Sequence, residues 1–272
     1  MRFAEKLQNA WDRSGGMLCV GLDPDIPRMP DEIRASPRPV LAFNRRIVDL
    51  VGDLVCAFKP QFAHHAAVGA EEDLAQTIAY IRRAAPHALI ILDAKRGDIG
   101  STAAMYAREA FERYDADCVT VNPLLGDDCV MPFLERADRG ALILCRTSNP
   151  DAGRYQMLDA DGEPMFAAVA RRAQNVWNAK DNCMLVVGAT APADLALARA
   201  AAPGLGILVP GVGEQGGTAQ EVMAAGLRAD GRGLVVSASR SVIWAGDDEA
   251  IRAAAQALRR DLPIREPEFE SA

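Results

Sequence analysis

The segment Ile90-Ile91-Leu92-Asp93-Ala94-Lys95-Arg96-Gly97-Asp98-Ile99 ends an apolar run in a cluster of charge. Side chains alternate along an extended strand, so Asp93 and Lys95 are expected to point the same way. Gly97 permits a tight turn that brings Asp98 back near Lys95. A lysine held between two carboxylates stays protonated and fixed in place, which suits a proton donor to a developing carbanion. The same three residues would also serve a purely structural ion network at a rim. A second group is rich in glycine: Gly206-Ile207-Leu208-Val209-Pro210-Gly211-Val212-Gly213-Glu214-Gln215-Gly216-Gly217. Its glycines allow backbone N–H groups to approach an anion closely. Downstream, Ser237-Ala238-Ser239-Arg240-Ser241 adds a guanidinium whose planar fork matches phosphate, at an expected helix start. A short turn that binds nothing is the plain alternative. Gly211–Gly216 also fits G-x-G-x-x-G, but the dinucleotide reading fails on position. Only one strand follows, and it ends in Ser and Arg rather than in an acid.

Weaker candidates stand elsewhere. Asp23 lies in Gly21-Leu22-Asp23-Pro24 and Lys59 in Phe58-Lys59-Pro60-Gln61. Thr147-Ser148-Asn149-Pro150 opens a long polar connection reaching Pro164, expected to be part lid and part specificity element. His64 and His65 read as a packed or solvated pair rather than as catalytic groups.

Eight short apolar runs could position these residues: Met17–Gly21, Val55–Phe58, Ala88–Leu92, Cys118–Val121, Ala141–Cys145, Met184–Val187, Gly206–Val209 and Gly233–Val236. Each has the composition of a strand buried on both faces. Segments with a three-to-four-residue apolar period separate them, including Ala103–Tyr114, Phe166–Trp177 and Ala191–Ala202. Alternation of this kind predicts an α/β protein with a parallel sheet. Eight units of about 34 residues favour a closed (β/α)8 TIM barrel, one domain spanning residues 1–272. Barrel chemistry sits on the loops after the strands, where every candidate above falls. Phe3-x-x-x-Leu7-x-x-x-Trp11, ending at Gly15-Gly16, is expected to cover the barrel floor.

Composition narrows the function classes. The net charge is −7 with no basic run, which argues against a nucleic-acid partner or an anionic membrane. No stretch of about 18 apolar residues and no N-terminal apolar leader occurs, so a cytoplasmic protein is expected. The six cysteines include no C-x-x-C pair and read as small buried core residues. Three histidines and no H-E-x-x-H or Cys/His cluster leave no expected metal site.

Taken together, these residues resemble the orotidine 5′-monophosphate decarboxylases over nearly the whole chain. The family's D-x-K-x-x-D-I-x-x-T signature is present as Asp93, Lys95, Asp98, Ile99 and Thr102. Gly21-Leu22-Asp23-Pro24, Phe58-Lys59-Pro60, Thr120-Val121-Asn122-Pro123, Arg146-Thr147-Ser148-Asn149-Pro150 and the Pro210–Gly217 loop are similar to the bacterial "type 2" branch. The loop after the seventh strand is shorter than in some members, so the loop after the fifth would share its closing role.

The resemblance implies a cofactor-free enzyme acting on orotidine 5′-monophosphate. Lys95 would protonate C6 of the pyrimidine, and Asp93 would lie beside the substrate carboxylate and hold Lys95. Asp98 would cross a homodimer interface into the partner's site, with Thr102 helping to grip the ribose. Asp23 and Lys59 would bind ribose hydroxyls, Lys59 also joining the charged network. Ser148 would hydrogen-bond the pyrimidine, and Gln215 and Arg240, with backbone amides near Gly216, would hold the phosphate. Three other readings are weighed against it: a Mg²⁺-dependent sugar-phosphate barrel sharing D-x-K-x-x-D, a nucleotide-binding scaffold without turnover, and a Schiff-base aldolase.

Overall fold

The computed structural model describes residues 1–212 and 217–265. Its frame is a closed barrel of eight parallel strands: β1 (Leu18–Leu22), β2 (Ala57–Pro60), β3 (Leu89–Arg96), β4 (Cys118–Val121), β5 (Gly140–Arg146), β6 (Cys183–Val187), β7 (Gly206–Pro210) and β8 (Leu234–Ala238). The strands follow one another around the barrel in chain order, and β8 closes on β1 with Leu18 opposite Val236. The eight apolar runs therefore all became strands, and their side chains are almost entirely buried. The reason is physical: strands covered by helices outside and packed side chains inside have no solvent face, so they read as continuous apolar runs.

One boundary differs in a way that matters. The third run was expected to stop at Leu92, but β3 continues to Arg96. Asp93 and Lys95 thus belong to the strand, not to the loop beyond it.

Helices connect consecutive strands, among them Pro39–Val51, Glu71–Ala84, Gly100–Arg108, Met165–Arg172 and Pro192–Ala201, and Asp248–Asp261 follows the last strand. The expected helices over Ala103–Tyr114 and Phe166–Trp177 end in wider π turns at Glu109–Arg113 and Ala173–Trp177. The long connection after β5 holds a short helix, Gly153–Gln156, and a two-stranded hairpin pairing Asp159–Ala160 with Glu163–Pro164. It is tied to the barrel mouth where Thr147 N donates to Gln156 Oε1 at 2.9 Å.

The first helix, Phe3–Ser14, closes the floor as its apolar spacing foretold. Phe3, Leu7 and Trp11 are buried, and the Trp11 indole N–H donates to Leu234 O at 2.8 Å, at the start of β8. Lys6 reaches Asp117, just before β4, at 3.0 Å. All six cysteines are buried and free, Cys129 included. Among the described residues, no helix is long and apolar enough to cross a membrane.

Candidate active site

Asp93 is the centre of the mouth. Its Oδ1 accepts from Lys95 Nζ at 2.7 Å and from Thr120 Oγ1 at 3.0 Å. Its Oδ2 accepts from Lys59 Nζ at 3.0 Å and from Gln61 Nε2 at 2.9 Å. Two donors on each oxygen satisfy a buried carboxylate that would otherwise be costly. Burial pushes the Asp93 carboxyl up, but the ammonium groups of Lys59 and Lys95 outweigh it and hold the acid well below the usual range. Burial likewise pulls Lys59 down, and the carboxylates of Asp93 and Asp23 outweigh it, so Lys59 stays a cation.

Lys95 is built differently from Lys59. Lys59 is buried, whereas the Lys95 side chain is half exposed at the mouth. Asp93 takes one of the three donors of its ammonium, leaving capacity for a ligand. Simple strand alternation does not account for its direction. Lys95 has φ +48°, a left-handed backbone that costs a non-glycine residue about 1–2 kcal/mol. The β3–β4 register shifts at the same place: Leu92 pairs with Val119, but the next pair is Arg96 with Val121. A bulge therefore aims the lysine. Beyond it, Arg96 turns outward, pairs with Glu109 at 2.9 and 3.1 Å, and lies over the rings of Phe62 and Tyr106.

Among the described residues Asp98 makes no ion pair with Lys95. Asp98 Oδ1 accepts instead from Ile99 N at 2.7 Å, and Asp98 is part-exposed beside the open face of Ile99. Gly97, expected to permit a tight turn, also has a steric use. A Cβ there would stand 2.8 Å from Asn122 O and 3.0 Å from Cys129 Sγ, so glycine lets the chain pass against the β4 loop. Thr102 lies one turn into helix Gly100–Arg108, half-buried.

On the other side of the mouth, a cavity is lined by Asp23, Lys59, Gly211, Ser239, Arg240 and Ser241 among others. Asp23 Oδ2 accepts from Ser239 Oγ at 2.5 Å. A Cβ at Gly21 would lie 2.8 Å from Ser239 Cβ, so this glycine lets β8 close in far enough to make that bond. Asp23 Oδ1 is buried and has no hydrogen-bond partner among the described residues. Such an orphaned acceptor on a cavity wall suits a ligand hydroxyl.

Arg240 stands exposed at the rim, where the expected helix is a single turn, Arg240–Ile243. Ser148 is half-buried just beyond β5, beside the end of β6, where Gly188 N donates to Arg146 O at 2.7 Å. Gln215 and Gly216, the other expected phosphate residues, lie outside the described residues. The histidines part company: His64 is exposed, while His65 is buried, donates to Gln61 O at 2.9 Å and accepts from Asn44 Nδ2 at 3.0 Å.

Two partners of Asp93 were not singled out as site residues from the sequence, Thr120 and Gln61. The available signals were a lone hydroxyl inside the apolar Cys118–Val121 run and an amide directly after Lys59-Pro60. The arrangement as a whole provides a half-exposed cation on a fixed carboxylate, a buried second cation, and a polar cavity with an unused acceptor. It can hold an anionic, hydroxylated ligand and deliver a proton to it.

Comparison with known proteins agrees with this geometry. The family model for orotidine 5′-phosphate decarboxylase / HUMPS matches residues 16–255. An orotidine 5′-phosphate decarboxylase of Cellvibrio japonicus is 52% identical over 270 residues, covering 97% of this chain and 99% of the relative. One from Ralstonia pickettii is 48% identical, covering 96% and 98%. The solved OMP decarboxylase of Leishmania donovani superimposes with a TM-score of 0.83 at 36% identity, covering 96% and 97% of the two chains. With the model spanning the barrel from before β1 to the last helix, and relatives near half identity over their full lengths, the chain belongs to the orotidine 5′-phosphate decarboxylase / HUMPS family.

Proposed function

We propose that this chain, as a single barrel domain in the cytoplasm, decarboxylates orotidine 5′-monophosphate to UMP and CO₂, the last step of de novo pyrimidine nucleotide synthesis. The observation that carries the reading is the Asp93 carboxylate fixed between Lys59 and Lys95 at the edge of a cavity with an orphaned Asp23 oxygen. Asp23 and Lys59 receive the ribose hydroxyls, Thr102 helps to grip that ribose, Ser148 hydrogen-bonds the pyrimidine, and Arg240, Gln215 and the amides near Gly216 hold the phosphate. That arrangement leaves the C6 carboxylate beside Asp93.

As the C6–carboxylate bond breaks, its electron pair stays on C6. The resulting carbanion is poorly delocalised by the ring, and the preorganised ammonium of Lys95 stabilises it without reorganising at the moment of reaction. Lys95 Nζ then gives its proton to C6 and regains one from solvent. Phosphate binding at the far end of the substrate contributes to the same barrier by offsetting the crowding of charge at the reacting end. No metal or organic cofactor takes part in this scheme.

We further propose a homodimer in which Asp98 enters the partner's site. Support comes from the surface around it: Ile99 is 64% exposed and Leu124 71% exposed, with Met105 and Leu125 also open. An apolar group of this size next to a carboxylate without a charged partner among the described residues suits a second copy. Full turnover by a protein that sediments as a monomer would remove the role of Asp98.

The test of the activity is direct. Protein treated with EDTA is mixed with orotidine 5′-monophosphate, and the loss of substrate absorbance is followed, with Lys95→Ala as control. Turnover in EDTA that falls by at least about 10³-fold in the variant, while UMP still binds, is the expected result. Activity confined to a sugar phosphate plus Mg²⁺ would move the chain to the other branch of its family, and an active Lys95→Ala would refute the proton donor.

A further inference from the structure

We propose that Thr120 is a positioning residue for the proton donor: its hydroxyl holds the β3 bulge that keeps Lys95 left-handed and directed at Asp93. This inference rests on the role of Lys95 proposed above.

The register defines the problem that Thr120 solves. Leu92 pairs with Val119 and Arg96 with Val121, so Asp93, Ala94 and Lys95 all stand opposite Thr120 alone. Three residues against one leaves the bulged strand without its regular ladder to β4. Buried backbone N–H groups must find another acceptor. The Thr120 side chain supplies it: Ala94 N donates to Oγ1 at 3.0 Å and Lys95 N at 2.9 Å.

A hydroxyl has two lone pairs and one proton. Both lone pairs are taken by these two amides. The proton is left for Asp93 Oδ1, 3.0 Å away, the same oxygen that receives Lys95 Nζ. One atom thus fixes the backbone of the lysine, the rotamer of the aspartate and the oxygen on which they meet. Thr120 is 1% exposed and lies in β4. It acts through Lys95 and Asp93 from beneath the mouth.

Valine is nearly isosteric with threonine but can neither accept nor donate. Serine keeps the hydroxyl and loses only the methyl. The experiment compares wild type, Thr120→Val and Thr120→Ser by two readouts. Steady-state decarboxylation should show kcat reduced about 100-fold in Thr120→Val, the size expected for a misplacement near 1 Å, with KM changed less than about threefold and Thr120→Ser within about tenfold of wild type. The second readout does not depend on turnover. Lysines are reductively methylated with ¹³C-formaldehyde, and the Lys95 resonance, assigned by its absence in Lys95→Arg, is compared by NMR at one fixed pH. Its chemical shift should move in Thr120→Val, as the ammonium loses its fixed contact with Asp93, and return in Thr120→Ser.

Equal kcat in wild type and Thr120→Val would overturn the proposal, as would an unmoved Lys95 resonance or a Thr120→Ser that fails to restore it. A wild type inert toward orotidine 5′-monophosphate would sink the functional reading, and the Lys95 resonance would still decide the role of Thr120. If Thr120→Val does not fold, a kcat loss without KM change in Thr120→Ser, accompanied by a displaced Lys95 resonance, supports the proposal; an unmoved resonance refutes it.

Discussion

Arg199 and Asp117 lie at the floor of the barrel, Asp93 and Lys59 at its mouth, and all four are buried. Their partners differ in kind. Arg199 donates to the carbonyls of Gly226, Ala202, Pro203, Leu205 and Gly233, most of them the turns that lead into β7 and β8. Burial pushes its guanidinium down to about 10, with Arg228 nearby adding to the effect. Asp117 accepts from Lys6, Arg82 and Ile90 N, tying the first helix and the helix before β3 to the start of β4. At the floor, charge is spent within the fold: Arg199 on backbone carbonyls, Asp117 on two cations and a backbone amide. At the mouth, Asp93 is gripped by two lysines, one of them half exposed, and the cavity-lining Asp23 keeps one buried oxygen without a partner among the described residues. Burial alone therefore does not mark a functional charge. Unused hydrogen-bonding capacity facing a cavity does.

The comparison is sharpest where the two ends are broken separately. The largest effect on chemistry is expected from Lys95→Ala, which should abolish turnover yet shift the unfolding midpoint by only a few degrees, because the lysine side chain is half exposed. Thermal unfolding that collapses together with activity would make Lys95 a structural residue. Arg199→Met should do the reverse: about 3 kcal/mol lost in urea unfolding, from carbonyls left without their donor, with kcat of the folded protein unchanged. A tenfold loss of kcat there would show that the floor and the mouth are coupled.

Arg240→Ala comes next, with a smaller effect confined to ligand binding. UMP should bind about 10–30-fold more weakly, while uridine changes less than about twofold, as expected for one charge-assisted contact to phosphate. Equal losses for both ligands, read by calorimetry, would put the phosphate elsewhere.

The smallest effect concerns His65. Burial lowers its pKa, against the hydrogen bond to Gln61 O that favours the cation. The unfolded chain therefore takes up the proton first. The resulting stability is complete above the unfolded value near 6.5 and is lost as pH falls from there toward the depressed folded value. Urea unfolding from pH 7.5 to 5 should show a slope of at most about 1.4 kcal/mol per pH unit from this group, absent in His65→Gln. An identical slope in the variant would assign the acid sensitivity to other groups.

Much of the frame was legible in the chain. The eight apolar runs marked eight strands because a doubly covered strand must be apolar throughout, and Phe3, Leu7 and Trp11 marked the floor by period alone. The charged cluster was legible as a cluster, since Asp93 and Lys95 are neighbours in sequence and Lys59 ends the adjacent strand. Three things escaped. The continuation of β3 to Arg96 is hidden because its last residues are polar, and polarity ordinarily signals a loop. The bulge is hidden because it depends on how β3 meets β4. The path of Asp98 is hidden because Gly97 was read for freedom of turning, whereas it serves close approach to Asn122 O.

By itself, the sequence determined which elements form and which residues reach the mouth, because burial pattern and strand order follow from local composition and chain order. Only the tertiary structure decided what those residues do to one another. Lys95 takes its direction from a left-handed backbone, and that backbone is stabilised by a hydroxyl 25 residues further along the chain, brought near by the register of two strands. A register is a relation between segments, so no single segment encodes it.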